Sequence, residues 1–299
     1  MTIPYEQLGA AVPSAIVAGA YWRRARTLAL RGSPVPRWRQ IAFGAGVAIS
    51  LAAVLPPLGV LDDRLLVAHM AQHLLLIDLG PLLITIGLTG PLLAPLLRIR
   101  AFAWLRKLTH PVAAFALWAL NLYVWHTPPL YQAAVHSDAV HALQHLLFVA
   151  FGVNVWLALL GPLPSPAWFG NLARLGYIVA LRLTGTVLAN VLLWSGTVFY
   201  PTYRGSELAR HLSPLTDQGL AGAVMMLEES LLTIGLFAWL FMKTARDVEE
   251  RQELLELAQQ RGVALDERRA ARAVAAGRGS ELRARLETPP AAAAPLEHA

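Results

Sequence analysis

Seven stretches of this 299-residue chain are apolar over roughly the length that crosses a bilayer, and this constrains the fold more than any motif does. They run over Gln7–Tyr21, Ile41–Leu61, Leu65–Leu88, Val112–Trp125, Val140–Leu160, Leu172–Tyr200 and Gln218–Met242. A spanning helix needs about 20 mostly apolar residues, so the first and fourth runs are short. Charged residues are 15% of the chain, against about 25% in soluble domains. Mean hydropathy is +0.49. The expected fold is all-α, a polytopic membrane bundle of seven transmembrane helices. The first run does not read as a signal peptide, because its charges, Arg23, Arg24 and Arg26, follow the apolar stretch instead of preceding it.

The net charge of +6 lies wholly within residues 1–242, between the apolar runs, while residues 243–299 carry ten basic and ten acidic side chains. Such an excess sets topology and is not a nucleic-acid surface. The first four connections hold six, one, four and no Lys or Arg. The positive-inside rule then places the N-terminus outside and the C-terminus in the cytoplasm, in agreement with an odd number of spans. The expected organisation is a transmembrane domain over 1–245 and a cytoplasmic charged helical tail over 246–299. The tail ends in a low-complexity Ala/Pro segment, Thr288–Pro295, that reads as disordered.

The chain has no cysteine, so disulfides, iron–sulfur clusters and thiolate metal sites are excluded. Any metal must rest on His, Met, Asp or Glu. Of nine histidines, seven (69, 73, 126, 136, 141, 145 and 211) fall at the outer ends of spans or in outer loops, and only His110 and His298 fall inside. Two segments repeat as H-x-x-Q-H-L-L: His69 to Leu75 opens the third span, and His141 to Leu147 opens the fifth. Residues i and i+4 share one helix face, about a turn apart. His69 with His73, and His141 with His145, can therefore each share an ion, and two adjacent helices at equal depth bring four imidazoles together. Gln72 and Gln144 are placed to donate hydrogen bonds to them. A single H-x-x-x-H is common and often carries no metal. The repeat at matched depth is what points to ligation of Cu, Zn, Fe or Ni, with Met70, Met225 and Met226 available as soft thioethers. Exposed ligands at span ends would release an ion readily.

Four charged residues lie deeper. Asp78 is about 13 Å along the helix from His69 at a rise of 1.5 Å per residue. Arg182 is mid-span, and Glu228 and Glu229 lie well inside the last span. An isolated charge in hydrocarbon costs several kcal/mol, so Arg182 is expected to pair with one of the three carboxylates. Such a pair serves packing or a proton path. Asn121, Asn154 and Asn190 read as inter-helix hydrogen bonders.

Several motifs taken together resemble a known family. They are Trp125-His126-Thr-Pro-Pro-Leu-Tyr131 followed by His141-Ala-Leu-Gln-His145, Asp217-Gln-Gly-Leu-Ala-Gly-Ala-Val-Met225, and His69-x-x-x-His73 with Pro81-Leu-Leu and Gly90-Pro91 downstream. The family is the multi-span CtaG group of cytochrome c oxidase assembly factors linked to caa(3)-type oxidases, and the resemblance covers about residues 40–245. It implies a seven-helix protein of the bacterial plasma (inner) membrane that is not itself an enzyme. Its implied role is to deliver copper to the copper centre of a haem–copper oxidase. The matching positions are His69, His73, His126, His141, His145, Asp217 and Met225. The implied partners are oxidase subunits, a periplasmic copper donor and the lipid bilayer, with no nucleic acid. One departure is Met226 with Glu228-Glu229, where the family pattern often has Trp after the methionine.

Three other readings use the same residues. A membrane zinc hydrolase would take Asp217 or Asp138 as base beside a His-bound zinc. A haem b electron carrier would use His73 and His145 as axial ligands. A transporter would use Asp78, Arg182 and Glu228. No nucleophile–base arrangement and no Gly-rich phosphate cradle is present.

Overall fold

A computed structural model describes residues 5–99, 105–163, 165–275 and 277–287. The Ala/Pro segment Thr288–Pro295 and His298 lie outside the described residues. The described residues are mostly helical, with no strand among them. Helices α1 (Tyr5–Leu30), α2 (Arg37–Val54), α3 (Leu66–Gly87), α4 (Pro111–Trp125), α5 (Asp138–Leu160), α6 (Asn171–Trp194) and α7 (Pro214–Gln260) correspond in order to the seven apolar runs. Five helical stretches, Arg37–Leu61, Leu66–Gly87, Asp138–Leu160, Asn171–Trp194 and Pro214–Gln260, are long and apolar enough to cross a membrane. Helix α4 is apolar but only 15 residues long.

Two boundaries differ from the sequence expectation. The α1 helix runs on to Leu30, so Arg23, Arg24 and Arg26 ride on its last turns and not in a loop. The sixth run was expected to reach Tyr200, but α6 stops at Trp194. The reason lies on α7. The Gln218 side chain accepts a hydrogen bond from the Phe199 N–H (2.9 Å) and donates one to the Thr197 carbonyl (3.0 Å). It thereby satisfies backbone that has left the helix, as buried peptide groups require.

Contacts divide the chain into a unit before Ile234 and a unit from Ile234 onward. In the second, the later turns of α7 join α8 (Glu267–Ala275) and α9 (Gly279–Glu287) around Leu254, Ala258, Val274, Leu282 and Leu286. Arg251 pairs with Glu267 at 3.2 Å, and Arg283 pairs with Glu253.

In the first unit, α3 is the central element, packing against both α2 and α5. Its ends are held by other helices. The residue before its first turn is Leu65, which has no side-chain oxygen to cap the orphan N–H groups there. Asp217 of α7 supplies both oxygens instead, accepting from Leu66 N–H at 2.7 Å and Val67 N–H at 3.1 Å. At the other end, Arg39 of α2 donates to the carbonyls of Ile86 (2.8 Å) and Leu88 (3.0 Å). An anion at the N-terminus and a cation at the C-terminus also match the helix dipole.

Midway, α3 widens into one π turn over Leu75–Leu79, where Gly80 N–H reaches back to the Leu75 carbonyl. Pro81 is the cause. It has no N–H for the Ile77 carbonyl to accept. Helix α5 closes on that carbonyl through Gly152, where an added Cβ would lie 2.1 Å from the Ile77 oxygen. Glycine is therefore required at this crossing.

Candidate metal centre

The repeated segments meet as expected. Helix α3 carries His69 and His73, α5 carries His141 and His145, and His126 joins them from the end of α4. Ring centroids lie 4.2 Å apart for His69–His73, 5.1 Å for His69–His141 and 4.1 Å for His141–His145. His73 reaches His126 at 5.9 Å and His145 at 5.7 Å. His69, His73 and His141 each offer a nitrogen, and the three lie within 4.8 Å of one another.

The hydrogen bonding matches a ligand set. His126 Nδ1 lies 2.7 Å from the Leu122 carbonyl. A carbonyl only accepts, so Nδ1 carries the proton and Nε2 keeps its lone pair for an ion. Neither nitrogen of His73 has a hydrogen-bond partner, and the same holds for Nε2 of His126 and of His145. Buried polar groups are rarely left so. Several such nitrogens converging at one place are what a bound cation would satisfy.

The five imidazoles are buried, none more than 7% exposed. This corrects the expectation of exposed ligands in flexible loops. The connection after His126 forms a helix of its own, Pro128–Val135, and Tyr131 from it covers His69 at 4.9 Å. The Tyr131 hydroxyl shares a hydrogen bond with Tyr203 at 2.7 Å, and Tyr200 donates to the His126 carbonyl at 2.7 Å. The three tyrosines form a layer across the imidazoles. Sequence reasoning missed Tyr200 and Tyr203, since nothing in their spacing distinguishes them from interfacial aromatics. It also missed Asp62, which is buried beside the cluster and faces His141. Burial and the neighbouring Asp63 carboxylate push Asp62 up to about 6.

Other expected site residues are placed differently. Asp217 has both oxygens engaged at the start of α3. Beside it sits Glu207, pushed up to about 7 by burial and by the Asp217 carboxylate. Gln72 donates to the Ala53 carbonyl at 3.1 Å and not to an imidazole. Gln144 is fully buried with no hydrogen bond to a histidine. Met225 is buried, and it lines a small cavity on the far side of His73 and His126 from the tyrosines, with Met70, Asp78 and Glu229.

Arg182 pairs with Glu229 at 2.7 Å, so of the three candidate carboxylates this is the one it meets. Thr186 donates to the same Glu229 oxygen at 3.0 Å. The other oxygen lies against Gly185, where an added Cβ would come within 1.8 Å of it. Glu228 is largely buried nearby, and both its oxygens lack a hydrogen-bond partner.

The family model of the cytochrome c oxidase caa3 assembly factor (Caa3_CtaG) matches residues 19–247. The chain belongs to this family. The match takes in the whole imidazole cluster and begins in α1, earlier than the residue-40 limit of the sequence resemblance. Uncharacterized proteins of Mycobacterium bovis and Mycobacterium tuberculosis are each 25% identical to this family member over 226 residues, 70% of this chain and 34% of theirs. One of Mycobacterium leprae is 25% identical over 197 residues, 60% of this chain and 30% of its own. The chain thus spans about a third of the length of the curated relatives it matches. No solved structure matches it.

Proposed function

We propose that this Caa3_CtaG protein carries copper as cargo, receiving it at the imidazole cluster and passing it to the copper centre of a haem–copper oxidase. It acts as a carrier and not as an enzyme. The observation that carries this reading is the buried triad of His69, His73 and His141, with three ligand nitrogens within 4.8 Å. Imidazole suits copper, and the neighbouring thioethers of Met70 and Met225 favour its monovalent state. The chain sits in the bacterial plasma membrane with seven spans, N-terminus outside and C-terminus cytoplasmic. That topology points the tyrosine layer and the cluster at the periplasm, where a copper donor and the oxidase subunits meet it. Because the ligands are covered, loading and release require the helix Pro128–Val135 or the Tyr200–Tyr203 segment to move.

The test is the metal content of protein purified in detergent after growth with copper, for wild type and for His69→Ala/His73→Ala. Near-stoichiometric copper that falls in the double variant supports the reading. Zinc without copper points to the hydrolase alternative, and a Soret band points to haem b. Absence of metal from both proteins would overturn the carrier role.

A further inference from the structure

We propose that the cavity on the far side of His73 and His126 is a second cation position, suited to a soft monovalent ion, with the thioethers of Met70 and Met225 as its defining ligands. The proposal deepens the copper reading and rests on it for the identity of the ion.

The cavity is lined by one continuous face of α3, where Met70, His73, Ile77 and Asp78 stand at helical spacing, and by Met225 and Glu229, one turn apart on α7. It admits the centre of a water-sized body over about 20 Å³, enough for one water or one ion. Its donors differ from those of the imidazole layer. Met70 and Met225 are 1% and 4% exposed, and buried sulfur next to imidazole is the donor set that selects Cu(I) over harder ions. His73 is 3% exposed, has no hydrogen-bond partner on either nitrogen and belongs to both places. An ion can therefore move from one to the other without leaving that ligand. The indole N–H of Trp118 also lines the cavity without a partner, as expected where a water completes the shell.

Oxygen ligands line the same position. The walls carry the carboxylates of Asp78 and Glu229, with Glu228 close by, and among the described residues Arg182 makes one ion pair with this group, to Glu229. A cation bound here would find carboxylate oxygens of Asp78 and Glu229 within the same lining. The imidazole layer brings no carboxylate ligand of its own within the triad. The two positions therefore differ in their donors: imidazole nitrogens alone in the triad, and sulfur with carboxylate on the face of α3 that carries Met70 and Asp78.

The test loads the full-length protein in detergent with Cu(I) alone, under anaerobic conditions, and records X-ray absorption at the copper edge. Sulfur is expected in the copper coordination shell of the wild type. Met70→Leu/Met225→Leu should lose that sulfur and bind Cu(I) about tenfold more weakly against a chelator, while still binding through nitrogen. Leucine conserves the volume of methionine, so folding is preserved. Asp78→Asn should weaken binding while sulfur scattering persists. A wild-type spectrum with nitrogen scattering only, unchanged in the methionine variant, would overturn the second position and leave the copper reading standing. Sulfur scattering in the wild type together with undisturbed copper content of the oxidase in cells lacking this protein would do the reverse.

Discussion

At the scale of single residues, the deep charges show how an ionisable group is kept inside a membrane bundle. Arg182 and Glu229 form a contact pair, and Gly185 leaves room for the carboxylate. Removing one member of a buried pair typically costs about 3–5 kcal/mol, so Arg182→Ala should lower thermal stability in detergent by that order. The swap Arg182→Glu/Glu229→Arg should be tolerated better than either single change. If the swap is the worst of the three, the pair does not hold the helices together. Gly185→Ala should cost about 1–3 kcal/mol through overpacking, and less when combined with Glu229→Asp, which withdraws the carboxylate. That three acids and one arginine would converge was legible in the sequence, because lone charges in lipid are too costly. Which acid takes the arginine was not legible, because Glu228 and Glu229 are adjacent and about 100° apart around the helix, a difference that only packing resolves.

At the scale of elements, α3 depends on residues far from it in sequence. Its first turn is capped by Asp217, 151 positions away from Leu66. Asp217→Ala should cost about 1–2 kcal/mol, in the range of lost helix caps, and should speed amide exchange at Leu66 and Val67 in particular. Asp217→Asn should retain part of the protection. Unchanged exchange at those amides would refute the capping role. The π turn is a local event with a local cause, Pro81, but it needs Gly152 opposite. Gly152→Ala places a methyl against backbone, and no side chain there can turn aside. A loss of about 1–3 kcal/mol is expected, along with weaker metal retention, since α3 and α5 carry four of the five imidazoles. The H-x-x-Q-H-L-L repeat made that pairing of helices legible in the sequence. The capping role of Asp217 was not legible, since its neighbours in the sequence identify it only as a polar residue near the start of a span.

At the scale of the whole molecule, all five imidazoles lie in the unit before Ile234, while the second unit has its own apolar core. Leu254 is fully buried in that core. Leu254→Ala should destabilise the second unit by about 2–5 kcal/mol, read as increased protease sensitivity of residues beyond 234, with metal content unchanged. Loss of metal in that variant would show that the two units are coupled. The sequence was sufficient for the helical class, the seven apolar runs and the two histidine pairs, because these follow from hydropathy and from the 3.6-residue period, both of which are local. It was not sufficient for the burial of the imidazoles, the tyrosine layer over them, Asp62 at their side or the sulfur-lined cavity beyond His73. Those features arise where α3, α4, α5, α7 and two connecting segments meet. Contacts between residues 50–150 positions apart depend on how helices cross, and no periodicity within a single segment encodes that.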